Sequence, residues 1–152
     1  MITIVLDTNV LINGIQDEAS YANRIINLCR EKKVLAILNR PLLKENKLKA
    51  RHLIKEKNYL KILDDFYRQT KMVSQKTHLK VINWDKEDNK LIEAAVDGKA
   101  DFIISEDNDL LYLGEYQNIK IITPQEFWHY YQENESDNSE WQDWMKGLIN
   151  KP

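Results

Sequence analysis

The chain has 152 residues, a mass of 18.0 kDa, 43% hydrophobic residues and a formal net charge of −2. That suffices for one domain around a single core, and no apolar run nears the roughly 20 residues that span a bilayer, so no membrane partner is expected. A lone cysteine, Cys29, excludes an internal disulfide framework, the three scattered histidines form no zinc set with it, and these residues hold no basic n-region followed by an apolar stretch and a small-residue cleavage site; a cytoplasmic protein is expected.

The opening MITIVLDTNVLING runs an apolar stretch, expected as a strand over 2–6, straight into Asp7 and a helix over 8–14. An ionised carboxylate there costs several kcal/mol to desolvate unless something pairs with it. Asp7 therefore either caps the helix or holds a cation. A helix over 18–32 follows, with Cys29 among Ile25, Ile26 and Leu28 as a small core residue. Next come a strand over 34–38 and helices over 41–56 and 58–70. On the first of these, Glu45 borders a stripe of Leu42, Leu43, Ala50, Leu53 and Ile54, and an i,i+4 pair with Lys49 gives it an ordinary reading. Fifteen basic and five acidic residues fall between positions 30 and 80, leaving seven basic and nineteen acidic elsewhere. Such sorting clothes solvated helix faces or builds a basic platform for a polyanion.

A further strand piece is expected near 80–83, then a helix over 86–98. On its wheel Leu91, Ile92 and Ala95 share a face with Asp88, while Lys86, Lys90 and Glu93 point elsewhere. Asp88 is either an acidic third residue behind Asp85 as N-cap or an inward carboxylate. A strand over 102–105 leads to Asp107 and a short helix over 108–113. A strand over 120–123 and a helix over 124–133 complete the pattern, the latter opened by Thr123-Pro124-Gln125-Glu126, a cap, a first-turn proline and a capping-box acid. Strands separated by helices predict an α/β fold: a three-layer α/β/α sandwich around a mostly parallel sheet of four to five strands. The domain is expected to cover residues 1–132. Residues 133–152 read as a polar linker and a short amphipathic segment bearing Trp141, Trp144, Met145 and Leu148, which folds back on its own domain or docks on a partner.

Four glycines leave no GxGxxG, no P-loop and no GxSxG elbow. Parallel sheets bind ligands outside the carboxyl ends of their strands, where Asp7 and Asp107 stand, although capping accounts for each equally well. Acids without cysteine or histidine partners suit a hard cation, Mg²⁺ or Mn²⁺. Two such ions activate water and stabilise the leaving oxygen of a phosphodiester.

The segments IVLDTNVLI (4–12), LNRPLLKEN (38–46), WDKEDNKLIEAA (84–95), KADFIISEDNDLL (99–111) and IKIITPQEF (119–127), in this order, resemble the PIN-domain family of metal-dependent ribonucleases over about residues 1–130. The resemblance is closest to the VapC-like toxin components of toxin–antitoxin pairs. It implies an endoribonuclease whose metal is held by Asp7, Glu45, Asp88 and Asp107, with Asp109 as an additional acid. Thr8 and Asn9 would position the first ligand or the attacking water, and Ser105 keeps the hydroxyl of the family's Thr-Gly-Asp. Glu106 departs from that pattern by replacing the glycine and adding charge. Arg40, Lys44, Lys47, Lys49 and Arg51, on the helix that carries Glu45, are candidates to hold the RNA backbone. A small antitoxin and a second copy of the chain are the partners the resemblance implies. A PIN-like module that binds RNA or protein without cleaving is the alternative. A phosphatase of the haloacid-dehalogenase type would need an acid where Asn9 stands.

Overall fold

The computed structural model describes residues 1–79 and 86–136. The strand expected near 80–83 and most of the C-terminal stretch lie outside the described residues. The elements, in chain order, are β1 Thr3–Leu6, α1 Thr8–Gln16, α2 Tyr21–Arg30, β2 Leu35–Leu38, α3 Arg40–Leu53, α4 Lys57–Arg68, β3 Lys71–Met72, α5 Lys86–Asp97, β4 Phe102–Ile104, α6 Asn108–Leu113, β5 Glu115–Tyr116, β6 Ile119–Ile122 and α7 Pro124–Tyr131. They build a six-stranded sheet of order β3-β2-β1-β4-β6-β5. All pairings are parallel except β5 against β6. The mostly parallel α/β architecture is as expected, with two strands more than the sequence revealed. Both are two-residue edge strands, β3 and β5, too short for any periodicity to mark.

Side chains alternate across the sheet, as strand geometry demands. Ile4, Leu6, Ala36, Phe102 and Ile104 join a core with α1, α2, α4 and α7, while Val5, Ile37 and Ile103 pack with α5, Leu42 and Leu110. Helices therefore cover both faces, the usual solution for a parallel sheet. Gly14 lets α1 and α2 cross closely, since a Cβ there would sit 2.8 Å from both Ala22 Cβ and Ile26 Cδ1. The β5–β6 hairpin turns on Gln117 and Asn118, both at positive φ (47° and 68°), as a tight two-residue turn requires. Among the described residues no helix is long and apolar enough to cross a membrane.

Two expectations about helix faces change. On α3 the inward residues are Leu42, Asn46 and Ala50, and Leu53 is exposed. On α5 Glu93 is buried rather than turned to solvent. The reason is a strap, residues 73–79, which no sequence pattern marks. Glu93 accepts from Gln75 Nε2 at 2.7 Å and from the Leu79 N–H at 3.0 Å. Asp97, at the end of α5, accepts from the N–H groups of Lys76 and Thr77 and from the Thr77 hydroxyl at 2.6 Å.

Candidate active site

Asp7 follows β1 at the N-cap position of α1, yet its side chain makes no capping hydrogen bond. Instead Ser105, directly after β4, donates its hydroxyl to Asp7 Oδ2 at 2.8 Å and accepts from the Asp107 N–H at 3.0 Å. Because β1 and β4 are neighbours in register, Leu6 opposite Ile104, this one hydroxyl ties the two strand-end acids together. Asp107 does cap α6: its Oδ1 accepts from the N–H groups of Asp109 and Leu110 at 2.9 and 3.2 Å. A small cavity of about 240 Å³ opens here, lined by Asp7, Asn9, Asn13, Glu106 and Asp107 with Val10. Burial raises the Asp7 pKa above the ordinary carboxylate value, and the nearby Asp107 adds to it; the Ser105 hydroxyl, the Asn9 N–H and Lys49 only partly oppose this.

The residue after Asp7 brings in Glu45 from α3. Thr8, buried beside Asp7, donates its hydroxyl to Glu45 Oε2 at 2.9 Å. Lys49 approaches Glu45 Oε1 at 3.6 Å. Glu45 lines a second cleft of about 610 Å³ with Arg40, Lys44, Leu48, Lys49 and Lys90. The cations that meet there come from α3 and α5, whose junction is fastened by Asn39. This buried residue caps α3 through the Leu42 N–H at 2.9 Å and donates to the Lys90 carbonyl at 3.4 Å. A larger cavity, about 690 Å³, opens where the strands begin, beside Ile2, Asp101 and Lys120. It lies at the end of the sheet away from these acids, and its carboxylate, Asp101, already accepts from the Thr3 N–H.

A PIN domain family model matches residues 3–109, the stretch that carries every one of these acids. The chain belongs to the PIN domain family. This PIN domain is similar to an uncharacterised protein of Methanocaldococcus jannaschii, with 31% identity over 140 residues, 83% of this chain and 89% of that one. It is also similar in fold to the crystal structure of VapBC2 from Rickettsia felis bound to a DNA fragment from its promoter. The TM-score is 0.55 at 12% identity, covering 79% of this chain and 97% of that chain. At that identity the likeness is one of fold alone.

The acids expected in this PIN domain are thus brought together in part. Asp7 and Asp107 share one cavity, and Glu45 is tied to them through Thr8. Asp88 is half-buried in the first turn of α5, and Asp109 is exposed on α6; neither lines the Asp7 cavity. Among the described residues no three acids, histidines or cysteines are already closed into a metal-sized group. The donor chemistry nonetheless suits a hard divalent cation: oxygen ligands only, one of them the partly buried Asp7 carboxylate, whose pKa is raised chiefly by burial. Thr8 and Ser105 are buried with their hydroxyls committed, so they orient carboxylates rather than touch substrate. Asn9 is exposed in the cavity wall, and so is Glu106. Arg40, Lys44, Lys47 and Arg51 are exposed on α3. Sequence reasoning missed Asn39, whose place before Arg40-Pro41 is a cap signal, and Lys90, set aside by the helical wheel.

Proposed function

We propose that the protein is a metal-dependent endoribonuclease, the toxin component of a toxin–antitoxin pair. The observation that carries this reading is the Asp7–Ser105–Asp107 link at the carboxyl edge of a PIN-family sheet, with Glu45 tied in through Thr8. Asp7, Glu45, Asp88 and Asp107, with Asp109 near by, are the residues that would hold Mg²⁺ or Mn²⁺. Such an ion supplies a Lewis acid that lowers the pKa of water and offsets charge on the leaving oxygen.

The chain's own groups do the rest. Ser105 fixes the rotamer of Asp7, and Thr8 fixes that of Glu45, so the carboxylates need no reorganisation when substrate arrives. Arg40, Lys44, Lys49 and Lys90 hold the phosphates beside the acids, with Lys47 and Arg51 further along α3. In-line hydrolysis forms a bond from the water oxygen to phosphorus and breaks the bond to the 3′ oxygen, which takes up a proton. The products are a 5′-phosphate and a 3′-hydroxyl. An antitoxin that covers the acidic crevice and a second copy of the chain are the protein partners of this reading, and the cytoplasm is its compartment. Residues 133–152 are a candidate contact for either.

Incubating single-stranded RNA with Mn²⁺, Mg²⁺ or EDTA, beside identically prepared Asp7→Asn protein, tests this. Cleavage that needs metal and is lost in the variant supports it. Equal behaviour of the two preparations across several RNAs overturns it. Glu106, a carboxylate inside the Asp7 cavity, favours the second reading, a non-catalytic RNA- or protein-binding module. RNA binding unchanged by Asp7→Asn, with no cleavage by either protein, is its signature.

A further inference from the structure

The cationic cleft does not end at Arg40. A third cavity, about 450 Å³, shares Arg40 with it and is otherwise lined by Met72, Val73, Ser74 and Gln75. It lies at the same edge of the sheet as the acids, because Val73 follows β3 and donates its N–H to the Leu38 carbonyl at the end of β2. Strand order then fixes its distance from Asp7. It stands two strands away, about 10 Å at the usual spacing, on the β2–β3 side. On the other flank of Asp7 stand Asn9, Asn13, Glu106 and Asp107, which offer no cation.

We propose that this third cavity is a nucleobase pocket that reads a single-stranded RNA a nucleotide or two from the phosphate held at the acids. The inference rests on the nuclease reading above for the class of ligand. Arg40 makes no ion pair among the described residues and stands between the two clefts, where a backbone phosphate passes. Met72 is 47% exposed on the edge strand, an apolar side chain that solvent would not select at the rim of a basic groove. It offers a face for a splayed base, which a paired duplex would not present. The polar groups beside it suit base edges. Ser74 is exposed, with no hydrogen-bond partner for its hydroxyl among the described residues. Gln75 commits its amide N–H to Glu93, leaving the amide oxygen to accept.

One side of the pocket is tied to the fold at two points, the Val73 N–H on the Leu38 carbonyl and the Gln75 amide on Glu93. A buried carboxylate, Glu93, and the Asp97 clamp pin residues 75–79 to α5. Burying Glu93 costs free energy that an unstructured loop would not incur. The residues tied in this way have less ordering entropy to lose when the base arrives.

The test uses fluorescence anisotropy of labelled single-stranded RNAs that differ by one base at each position, bound to Asp7→Asn protein so that no cleavage intervenes. Met72→Ala, Ser74→Ala and, as a control at the far edge of the sheet, Tyr112→Ala are added to it. Cleavage of the same RNAs by the Asp7-containing proteins is followed separately with Mn²⁺. The expected result is a base preference at one position, on one side of the cut. Ser74→Ala flattens that preference, Met72→Ala weakens binding by about 2- to 10-fold, and Tyr112→Ala changes neither. Met72, Ser74 and Tyr112 are exposed, so the variants keep the parent's thermal midpoint. Unchanged affinity and preference in both pocket variants overturns the pocket, as does failure of every RNA to bind the parent. Loss of cleavage alone, with base-selective binding still sensitive to Ser74→Ala, overturns the nuclease reading and leaves the pocket standing.

Discussion

Thr8→Val isolates the link between Glu45 and the strand-end acids. Valine keeps the β-branched shape at a position only 1% exposed, so no cavity opens. What disappears is a 2.9 Å hydroxyl bond to Glu45 Oε2. A hydrogen bond to a charged group contributes roughly 1.5–3 kcal/mol. The Glu45 side chain retains 11% exposure, so water replaces part of the interaction and the net loss should be about 1–2 kcal/mol. For a chain of this length that lowers Tm by about 2–8 °C. Glu45 then keeps its ion pair with Lys49 at 3.6 Å, a looser restraint under which its rotamer broadens, and RNA cleavage should fall about tenfold. Urea unfolding and cleavage rates of Thr8→Val, Glu45→Ala and the double variant form a cycle. The two substitutions should fail to add by about 1 kcal/mol. Wild-type stability and rate in Thr8→Val, or strict additivity, would refute this coupling.

Other outcomes follow from the same geometry. Ser105→Ala removes a buried hydroxyl that both donates to Asp7 and accepts from the Asp107 N–H; about 1–3 kcal/mol of stability should be lost in urea titrations, with a larger loss of cleavage than any exposed α3 substitution causes. Burial and Asp107 raise the Asp7 pKa, so in EDTA the stability linked to this group is full below the ordinary carboxylate pKa and is lost as pH rises through the raised value. Metal-free Asp7→Asn should therefore match or exceed the wild-type Tm at neutral pH, the gap closing on acidification, and Mn²⁺ should raise Tm only in the wild type. Replacing Arg40 and Lys44 by Ala should weaken RNA binding for all sequences. It should also flatten the salt dependence by roughly 0.7 in log–log slope for each phosphate no longer neutralised. Asp97 would be raised by burial, but the Thr77 hydroxyl and the N–H groups of Lys76 and Thr77 hold it below the ordinary value; Asp97→Asn should speed amide exchange at those two residues.

The sequence showed the main strands, because buried parallel strands are short apolar runs between helices, and it showed Asp7 and Asp107 because the runs stop at them. It could not separate capping from ligation. The structure distinguishes the two acids in capping alone: Asp7 Oδ2 accepts from the Ser105 hydroxyl, whereas Asp107 caps α6 with Oδ1. Glu45 was invisible to periodicity since its partner, Thr8, is 37 residues away in sequence. The helical wheel misplaced Glu93 because a wheel has no knowledge of a strap that returns over the helix. Residues 73–79 carry no repeating pattern: only Val73 and Leu79 pack against the core, and the rest of the hold comes from hydrogen bonds to the Glu93 and Asp97 carboxylates. Lys90 was missed for a related reason. Its place in the cleft depends on α5 meeting α3 through Asn39, a tertiary contact.

The chemistry of the cut ends tests the central claim most directly. Single-stranded RNA is incubated with wild-type protein and Mn²⁺ in water enriched in heavy oxygen, and the products are read by mass spectrometry beside an Asp7→Asn control. Hydrolysis at the Asp7 centre predicts 5′-phosphates carrying the heavy oxygen and 3′-hydroxyls, absent with EDTA and absent in the variant. Cyclic 2′,3′-phosphate ends, or the same products from Asp7→Asn, would contradict it.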